Sequence, residues 1–338
     1  MNLIHVQTPG MFTTVQDLGR YGYGPLGVSP SGAADPISLR IGNLLVGNPE
    51  NTAALEMTLL GGTFLFPDGA VVALTGSDFG PVLSNPMRQL GASLPGSDTL
   101  SNPTRQSGNA IPMHTAFDIP PGGILKTGPS RNGARCYLCV AGGIAVRPLL
   151  GSASTHILTG LGGFEGRALR KGDFLEVGQG HALPTHRVVP ETLDALTPRK
   201  TLRTTIAPQT DWFSADSLRR FYDSVYTVSE ESNRMGLRLQ GPVTELPQSN
   251  APHQGQMTSE GVSLGAIQIP AGGQPIILFV EQQTTGGYPK IANIISADLS
   301  SVGQLRPRDQ IRFELVTPEI ARALILEQEA LISKCIST

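Results

Sequence analysis

The sequence has few charged residues and few aromatic residues, and its charges are balanced. Charged residues make up 15% of the 338 residues and aromatic residues 5%, whereas charged residues usually account for about 25%. Lys and Arg number 25 against 27 for Asp and Glu, which gives a net charge of -2. This balance excludes the basic footprint expected of a nucleic-acid-binding protein.

Cysteine is also scarce, and long apolar runs are missing. Three cysteines do not make a disulfide framework, so a reducing compartment is expected. No run of 18 apolar residues occurs, so the sequence predicts no membrane span. The first six residues have neither the basic region nor the apolar stretch of a signal peptide, and they predict a β-strand. We therefore expect a cytoplasmic protein without a membrane partner.

Glycine and proline, by contrast, are abundant. The chain has 40 Gly and 27 Pro, against a usual combined share of about 12%, and they separate short alternating apolar segments. The length of 338 residues predicts about two domains. We predict a mainly β protein with a few helices (α+β), built from two packed β-rich domains. The predicted strands include residues 63–66, 70–74, 136–141, 174–177, 275–280 and 310–315.

Three segments carry helical signals. Asp35 can cap a helix that starts at Pro36, and apolar residues follow at helical spacing to Leu45. A second helix is predicted to start near Ser214. A third is predicted after Thr317, towards the end of the chain.

Composition indicates the domain boundaries. We predict an N-terminal β-rich domain over residues 1–185, a linker over 186–200, a C-terminal β-rich domain over 201–316 and a terminal helix over 317–338. Residues 92–110 are rich in Ser, Asn, Gly and Pro and predict a mobile surface insertion, with a substrate lid as the alternative.

Several familiar motifs are absent or incomplete. The six histidines are scattered, and the cysteines at 136 and 139 have no second pair to complete a zinc site, so we expect two core residues and no metal. The glycine spacing at 160–166 is wrong for a dinucleotide fingerprint. That segment predicts a turn between strands, with an anion site beside Arg167 as the alternative.

Four stretches combine hydroxyl or amide groups, glycine and charged residues. This mixture suits a carboxylate, a carbamate or a phosphate. Each stretch alone also fits an ordinary capped turn, but four in one chain of low charge predict a shared polar site. The stretches are residues 13–20 with 27–35, 150–155, 229–239 and 282–290.

The same stretches carry a family resemblance. The chain resembles the biotin-dependent carboxyltransferase family, also called allophanate hydrolase subunit 2, in segments that keep their order over nearly the full length. The matching segments are T-T-V-Q-D-L-G-R (13–20), G-V-S-P-S-G-A-A-D (27–35), N-L-L-V-G-N (43–48), L-G-S-A-S-T (150–155), G-G-F-E-G-R (162–167), S-N-R-M-G-L-R-L-Q-G (232–241), S-E-G-V (259–262), G-A-I-Q-I-P (265–270) and Q-T-T-G-G-Y-P-K-I-A (283–292).

The resemblance implies a cyclophilin-like β-barrel architecture and a multi-subunit enzyme. The member that fits best is the C subunit of 5-oxoprolinase, which works with an allophanate hydrolase subunit 1-type (B) subunit and an A-type subunit. That assembly opens 5-oxo-L-proline to L-glutamate with hydrolysis of ATP. The resemblance therefore implies an ATP-dependent lactam hydrolase subunit that is inactive without its partners and shares ATP with them.

Two alternatives stay open. One is a biotin-dependent carboxyltransferase acting on urea or a related amide, since that reaction needs nearly the same cations and donors. The other is a non-catalytic regulator that antagonises a kinase inhibitor, as one branch of the family does.

The family usually has Asp just before the Q-T-T-G-G-Y-P run, whereas this chain has Glu281-Gln282.

Charge and solvation select the candidate site residues. Burying an unpaired cation costs several kcal/mol of folding free energy. Three cations, Arg20, Arg234 and Lys290, lie among glycine and hydroxyl residues in the sequence, so each must be paired, exposed or facing a ligand. We predict that they converge on one polar groove, with a structural Asp17–Arg20 pair as the alternative. The predicted catalytic residues are Lys290, Arg234 and Asp17, and the predicted substrate-binding residues are Arg20, Ser29, Ser232, Asn233, Thr284, Thr285 and Tyr288.

Overall fold

A computed structural model describes residues 2–84, 108–180, 187–245 and 257–337. Its strands, in chain order, are β1 (Asn2–Thr8), β2 (Phe12–Gln16), β3 (Ala54–Thr58), β4 (Thr63–Phe66), β5 (Ala70–Gly76), β6 (Val82–Ser84), β7 (Asn109–Ala110), β8 (Ala116–Ile119), β9 (Gly123–Lys126), β10 (Arg135–Val140), β11 (Phe174–Val177), β12 (Arg187–Val188), β13 (Thr201–Ile206), β14 (Tyr226–Val228), β15 (Gly236–Gln240), β16 (Glu260–Gly261), β17 (Ala266–Gln268), β18 (Ile276–Leu278), β19 (Thr285–Gly286), β20 (Lys290–Ile294), β21 (Gln310–Leu315) and β22 (Ile336–Ser337). Its α-helices are α1 (Pro36–Leu45), α2 (Pro190–Ala195), α3 (Ala215–Asp223), α4 (Leu299–Gly303) and α5 (Pro318–Ile332).

The chain divides into two compact units. The first comprises Met1–Leu18, Ser38–Val189 and Ile336–Thr338, and the second comprises Gly19–Ile37 and Pro190–Cys335. The predicted boundaries differ, because residues 19–37 belong with the second unit and β12 and α2 lie where a linker was predicted. Residue 186 of the predicted linker, residues 181–185 before it, and most of the predicted insertion at 92–110 lie outside the described ranges.

The first unit contains two antiparallel sheets around one apolar core. One sheet has the order β11-β1-β4-β9-β6-β7 and the other β2-β3-β10-β5-β8. The strand β10 is buried along its whole length, and Cys136 and Cys139 lie there with no exposed surface. Burial raises the pKa of both thiols, so the cysteines are inert core residues, as predicted.

The second unit is a closed barrel. Its strands follow the order β13-β20-β17-β18-β15-β14-β21, and β16 pairs with β19 in a separate two-stranded ribbon. Aromatic rings of α3 and the barrel strands pack in its core, where Phe221 stacks on Phe313 at 4.7 Å between centroids. The predicted β-rich class and barrel architecture are therefore confirmed.

The three predicted helices are present, and two of them begin with a side-chain cap. The hydroxyl of Ser214 accepts a hydrogen bond from the Ser217 backbone at the start of α3. Thr317 caps α5 in the same way by accepting from Ile320. No helix within the described ranges is both long enough and apolar enough to cross a membrane.

Candidate functional site

The first polar centre of the second unit is the ion pair between Arg234 and Glu281. Both side chains are buried, and the Nε of Arg234 donates to a carboxylate oxygen of Glu281 at 2.5 Å. A second guanidinium nitrogen donates to the backbone carbonyl of Gly32 at 2.6 Å. The cation predicted from the Ser-Asn-Arg stretch is therefore paired with Glu281, which lies just before the Q-T-T-G-G-Y-P run.

The segment 19–37 lies beside this pair. The backbone amide of Ser31 donates to the carbonyl of Val280 at 2.8 Å, and the amide of Arg20 donates to the carbonyl of Pro30 at 2.8 Å. The side chains of Arg20 and Ser29 are each 2% exposed. Two predicted substrate-binding residues thus lie buried in a segment fastened next to Glu281.

The second polar centre surrounds Lys290 at the start of β20. Its Nζ is ion-paired with the carboxylate of Glu260 in β16, and the Lys290 side chain is 4% exposed against 41% for Glu260. The side-chain amide of Gln209 donates to the same carboxylate at 3.0 Å and accepts from the Lys290 backbone amide at 3.3 Å. The hydrogen bond from Lys290 holds the pKa of Glu260 below its ordinary value.

Sequence reasoning did not find Glu260 and Gln209. Glu260 lies 30 residues before Lys290 in the chain. The one feature of the sequence that pointed to a functional role for Glu260 was its place in the S-E-G-V segment, which matches the family. Gln209 follows β13 in a segment with no motif. Only the pairing of β16 with β19 and the closure of the barrel bring them to Lys290.

The predicted hydroxyl donors of the last stretch lie on and beside the β16–β19 ribbon. Thr285 pairs with Gly261 in the ribbon and is exposed, and Tyr288 is 44% exposed. The carbonyl of Thr284 accepts from the Val262 amide at 3.1 Å. These residues therefore present polar groups to solvent close to the Lys290 centre.

Ser232 and Asn233 are occupied within their own turn. The Ser232 hydroxyl accepts from the Arg238 amide at 3.0 Å, and the Asn233 side-chain oxygen accepts from the Met235 amide at 2.8 Å. These bonds shape the connection between β14 and β15. A substrate-binding role for the two residues stays a prediction.

Asp17 belongs to the first unit, unlike the other nine predicted site residues. Its carboxylate is 3% exposed and accepts from the Ser152 hydroxyl at 2.6 Å and from the Ala153 amide at 2.7 Å. The structure thereby joins the first and second polar stretches of the sequence. The predicted convergence of Arg20, Arg234 and Lys290 on one groove stays a prediction, since Arg234 and Lys290 each bind their own carboxylate.

The glycine-rich turn at 160–166 does not present an available cation. Arg167 bonds bidentately with Asp173 at 2.8 and 3.0 Å and also with Glu165. The amide of Gly166 donates to the carbonyl of Gly162 at 2.9 Å, within the turn itself. The turn interpretation therefore explains the segment, and in the described part of the chain no group of three His, Cys, Asp or Glu residues could hold a metal.

Comparison with known proteins decides the family. A family model described as "Carboxyltransferase domain, subdomain A and B" matches residues 26–315. The chain belongs to this carboxyltransferase family. It is 34% identical to the 5-oxoprolinase C subunit of Haemophilus influenzae over 94% of this chain and 92% of the relative. It is 36% identical to the 5-oxoprolinase C subunit of Escherichia coli over 92% and 90%.

A solved structure extends the family relationship to the fold. The crystal structure of the K. lactis urea amidolyase matches 98% of this chain with a TM-score of 0.85 and 30% identity. The match covers 20% of that much longer chain. This carboxyltransferase fold therefore occurs both in proteins of about this length and as one part of a larger enzyme.

Proposed function

We propose that this chain is the C subunit of an ATP-dependent 5-oxoprolinase, which opens 5-oxo-L-proline to L-glutamate together with a B-type and an A-type subunit. The observation that carries the proposal is the match to two proteins named as this subunit, over at least nine-tenths of their own length. The polar centres of the second unit hold two buried cations, Arg234 and Lys290, each paired with a carboxylate, beside which a small polar substrate can bind.

The chemistry assigned to this chain is binding and orientation of the lactam. Hydrolysis of ATP supplies the driving force for ring opening. Arg234 and Lys290 are held in place by Glu281 and Glu260, so their positions are fixed before substrate binds. Preorganised charges and donors of this kind stabilise developing charge without reorganisation.

We assign the ATP site to the partner subunits. A triphosphate requires cations that are not already neutralised, or a glycine-rich loop with available amides. Arg234, Lys290 and Arg167 are each bonded to carboxylates, and the glycine-rich turn at 160–166 bonds to itself. These groups fit a nucleotide poorly.

The test is reconstitution. The chain is co-purified with the B-type and A-type subunits, and L-glutamate formation from 5-oxo-L-proline is followed with and without ATP. We expect turnover that needs ATP and all three subunits, and neither ATPase nor 5-oxoprolinase activity from this chain alone. Turnover by the isolated chain would overturn the need for partners.

The same assay separates the alternatives. Carboxylation of urea with a biotin carboxylase and biotinylated carrier, in place of lactam cleavage, would identify a urea-type carboxyltransferase, for which the similarity to urea amidolyase is the supporting observation. A complex without either activity would contradict both enzymatic hypotheses and favour the regulator.

A further inference from the structure

Two buried glutamines near Lys290 each present an amide atom with no hydrogen-bond partner among the described residues. Gln268 is 1% exposed and its Nε2 lacks an acceptor, and Gln282 is 6% exposed and its Oε1 lacks a donor. Buried polar atoms are nearly always hydrogen-bonded, so a buried amide atom without a protein partner is a candidate for binding a ligand. One atom is a donor and the other an acceptor.

In each of the two side-chain amides, one atom is hydrogen-bonded and the other has no partner among the described residues. The Oε1 of Gln268 accepts from the Gln283 side chain at 3.3 Å, so its Nε2 is the available end. The Nε2 of Gln282 donates to the carbonyl of Val262 at 3.2 Å, so its Oε1 is the available end. The orientation of the Gln282 amide follows from its bond, because a backbone carbonyl can only accept.

Both glutamines lie around one short segment next to Lys290. Gln268 ends β17 directly opposite Lys290 of β20, and opposite residues of an antiparallel pair share a face. A Cβ on Gly286 would lie 2.5 Å from the Gln268 Nε2 and 3.2 Å from the Val262 side chain, the same residue that binds Gln282. Only glycine allows the ribbon to approach the Gln268 amide this closely.

The chemistry complementary to this pair is a neutral amide. A lactam or a urea offers a carbonyl oxygen that accepts and an N–H that donates. Lys290, the adjacent cation, is paired with Glu260, so the two glutamines would recognise this group by hydrogen bonds and not by charge.

We propose that Gln268 and Gln282 bind the amide group of the substrate. The Nε2 of Gln268 donates to the amide carbonyl oxygen, and the Oε1 of Gln282 accepts the amide N–H. The inference rests on the proposed function, which it deepens by naming the residues that recognise the lactam. Substrates in which either group is missing are then discriminated against.

The test compares substrate analogues with variants. Binding of 5-oxo-L-proline, its N-methyl derivative, L-proline and urea to the reconstituted complex is measured by ligand-observed NMR, alongside KM and kcat. We expect N-methylation to weaken binding to the wild type about 10-fold or more, since a site built for an N–H is left unpaired by its loss. Q282M should weaken the binding of 5-oxo-L-proline by a similar factor, and the variant should no longer bind the N-methyl derivative more weakly than 5-oxo-L-proline.

Q268M provides the second arm. It should raise KM for 5-oxo-L-proline about 10-fold or more and remove the preference over L-proline, which lacks the ring carbonyl. Q310M, at an exposed position in β21, is the matched control and should leave affinity and KM unchanged. Thermal unfolding of each variant, followed by circular dichroism, shows that the fold survives.

The outcomes separate this inference from the proposed function. If urea binding depends on both glutamines but 5-oxo-L-proline is not cleaved, the amide site stands and the proposed function fails. If cleavage is normal and discrimination survives in Q268M and Q282M, or only the melting temperature changes, the amide site is overturned. Absence of binding of both 5-oxo-L-proline and urea to the wild type also overturns it.

Discussion

The Nε of Arg234 and a carboxylate oxygen of Glu281 lie 2.5 Å apart in a part of the second unit where both side chains are buried. The same guanidinium binds the carbonyl of Gly32. The Arg234 side chain, in the turn after β14, thus contacts both the turn after β18 and the segment 19–37. The carboxylate of Glu281 compensates the charge of this guanidinium, so we expect the fold to depend on that carboxylate.

Removing the carboxylate of Glu281 tests this dependence. We expect E281L to destabilise the second unit by about 3–5 kcal/mol, because it removes the buried carboxylate that pairs with the Arg234 guanidinium. E281D keeps the charge and shortens the side chain by one methylene, so we expect a loss of less than about 1.5 kcal/mol. Urea unfolding followed by the fluorescence of Trp212, the single tryptophan, which lies in this unit, measures both. Equal losses would contradict the charge argument.

A close backbone contact holds the segment 19–37 in the second unit. A Cβ on Gly303 would lie 2.0 Å from the carbonyl oxygen of Ala34, which is part of the core. We expect G303A to cost about 1–3 kcal/mol, the usual penalty for overpacking, in the same fluorescence assay. G272A is the matched control, because a Cβ there has no heavy atom within 4 Å. A stable G303A protein would show that this contact does not anchor the segment.

The local structure of this protein can be predicted from its sequence, but the contacts between residues far apart in the chain cannot. The alternation in residues 63–66 and the helix starts near Ser214 and after Thr317 depend on neighbouring residues, and the structure confirms them. The assignment of residues 19–37 to the second unit depends on contacts with Val280 and Gly303, hundreds of residues away. No periodicity encodes such contacts.

The candidate site shows the same division. From solvation, Arg234 and Lys290 were expected to be paired, exposed or facing a ligand, and each forms an ion pair with a carboxylate. Glu260 could not be assigned to Lys290, because an isolated Glu after a polar stretch resembles any exposed carboxylate. Gln268 and Gln282 escaped notice because an unpaired amide atom is a property of packing and not of residue order.

The Arg167–Asp173 pair of the first unit predicts a pH dependence. Hydrogen bonds from Arg167 hold the pKa of Asp173 below its ordinary value. A carboxyl with a lowered folded-state pKa stabilises the fold above its unfolded pKa of about 3.9, and the contribution disappears as the pH falls through the folded value. We expect D173N to cost about 2 kcal/mol at pH 7 and the gap to wild type to close below about pH 3.9.

Thermal unfolding followed by circular dichroism at a series of pH values measures that gap. E165Q alters the other carboxylate on the same arginine, which is 64% exposed, and should cost less than about 0.5 kcal/mol at every pH. A difference between D173N and wild type that stays constant down to pH 3 would contradict the linkage.

Lys290 gives the most direct test of the candidate site. We expect K290M to lower kcat of the reconstituted complex for 5-oxo-L-proline at least ~100-fold, the scale of losing one transition-state charge contact. The fold should survive, because the carboxylate of Glu260 is 41% exposed and stays hydrated when its partner is removed. K200M removes a surface lysine whose side chain is 50% exposed and should leave kcat unchanged. Near-normal turnover by K290M would exclude Lys290 from the chemistry. A large fall in melting temperature would instead assign Lys290 a structural role, because a group that only neutralises Glu260 stabilises the fold and does not lower the activation barrier of the reaction.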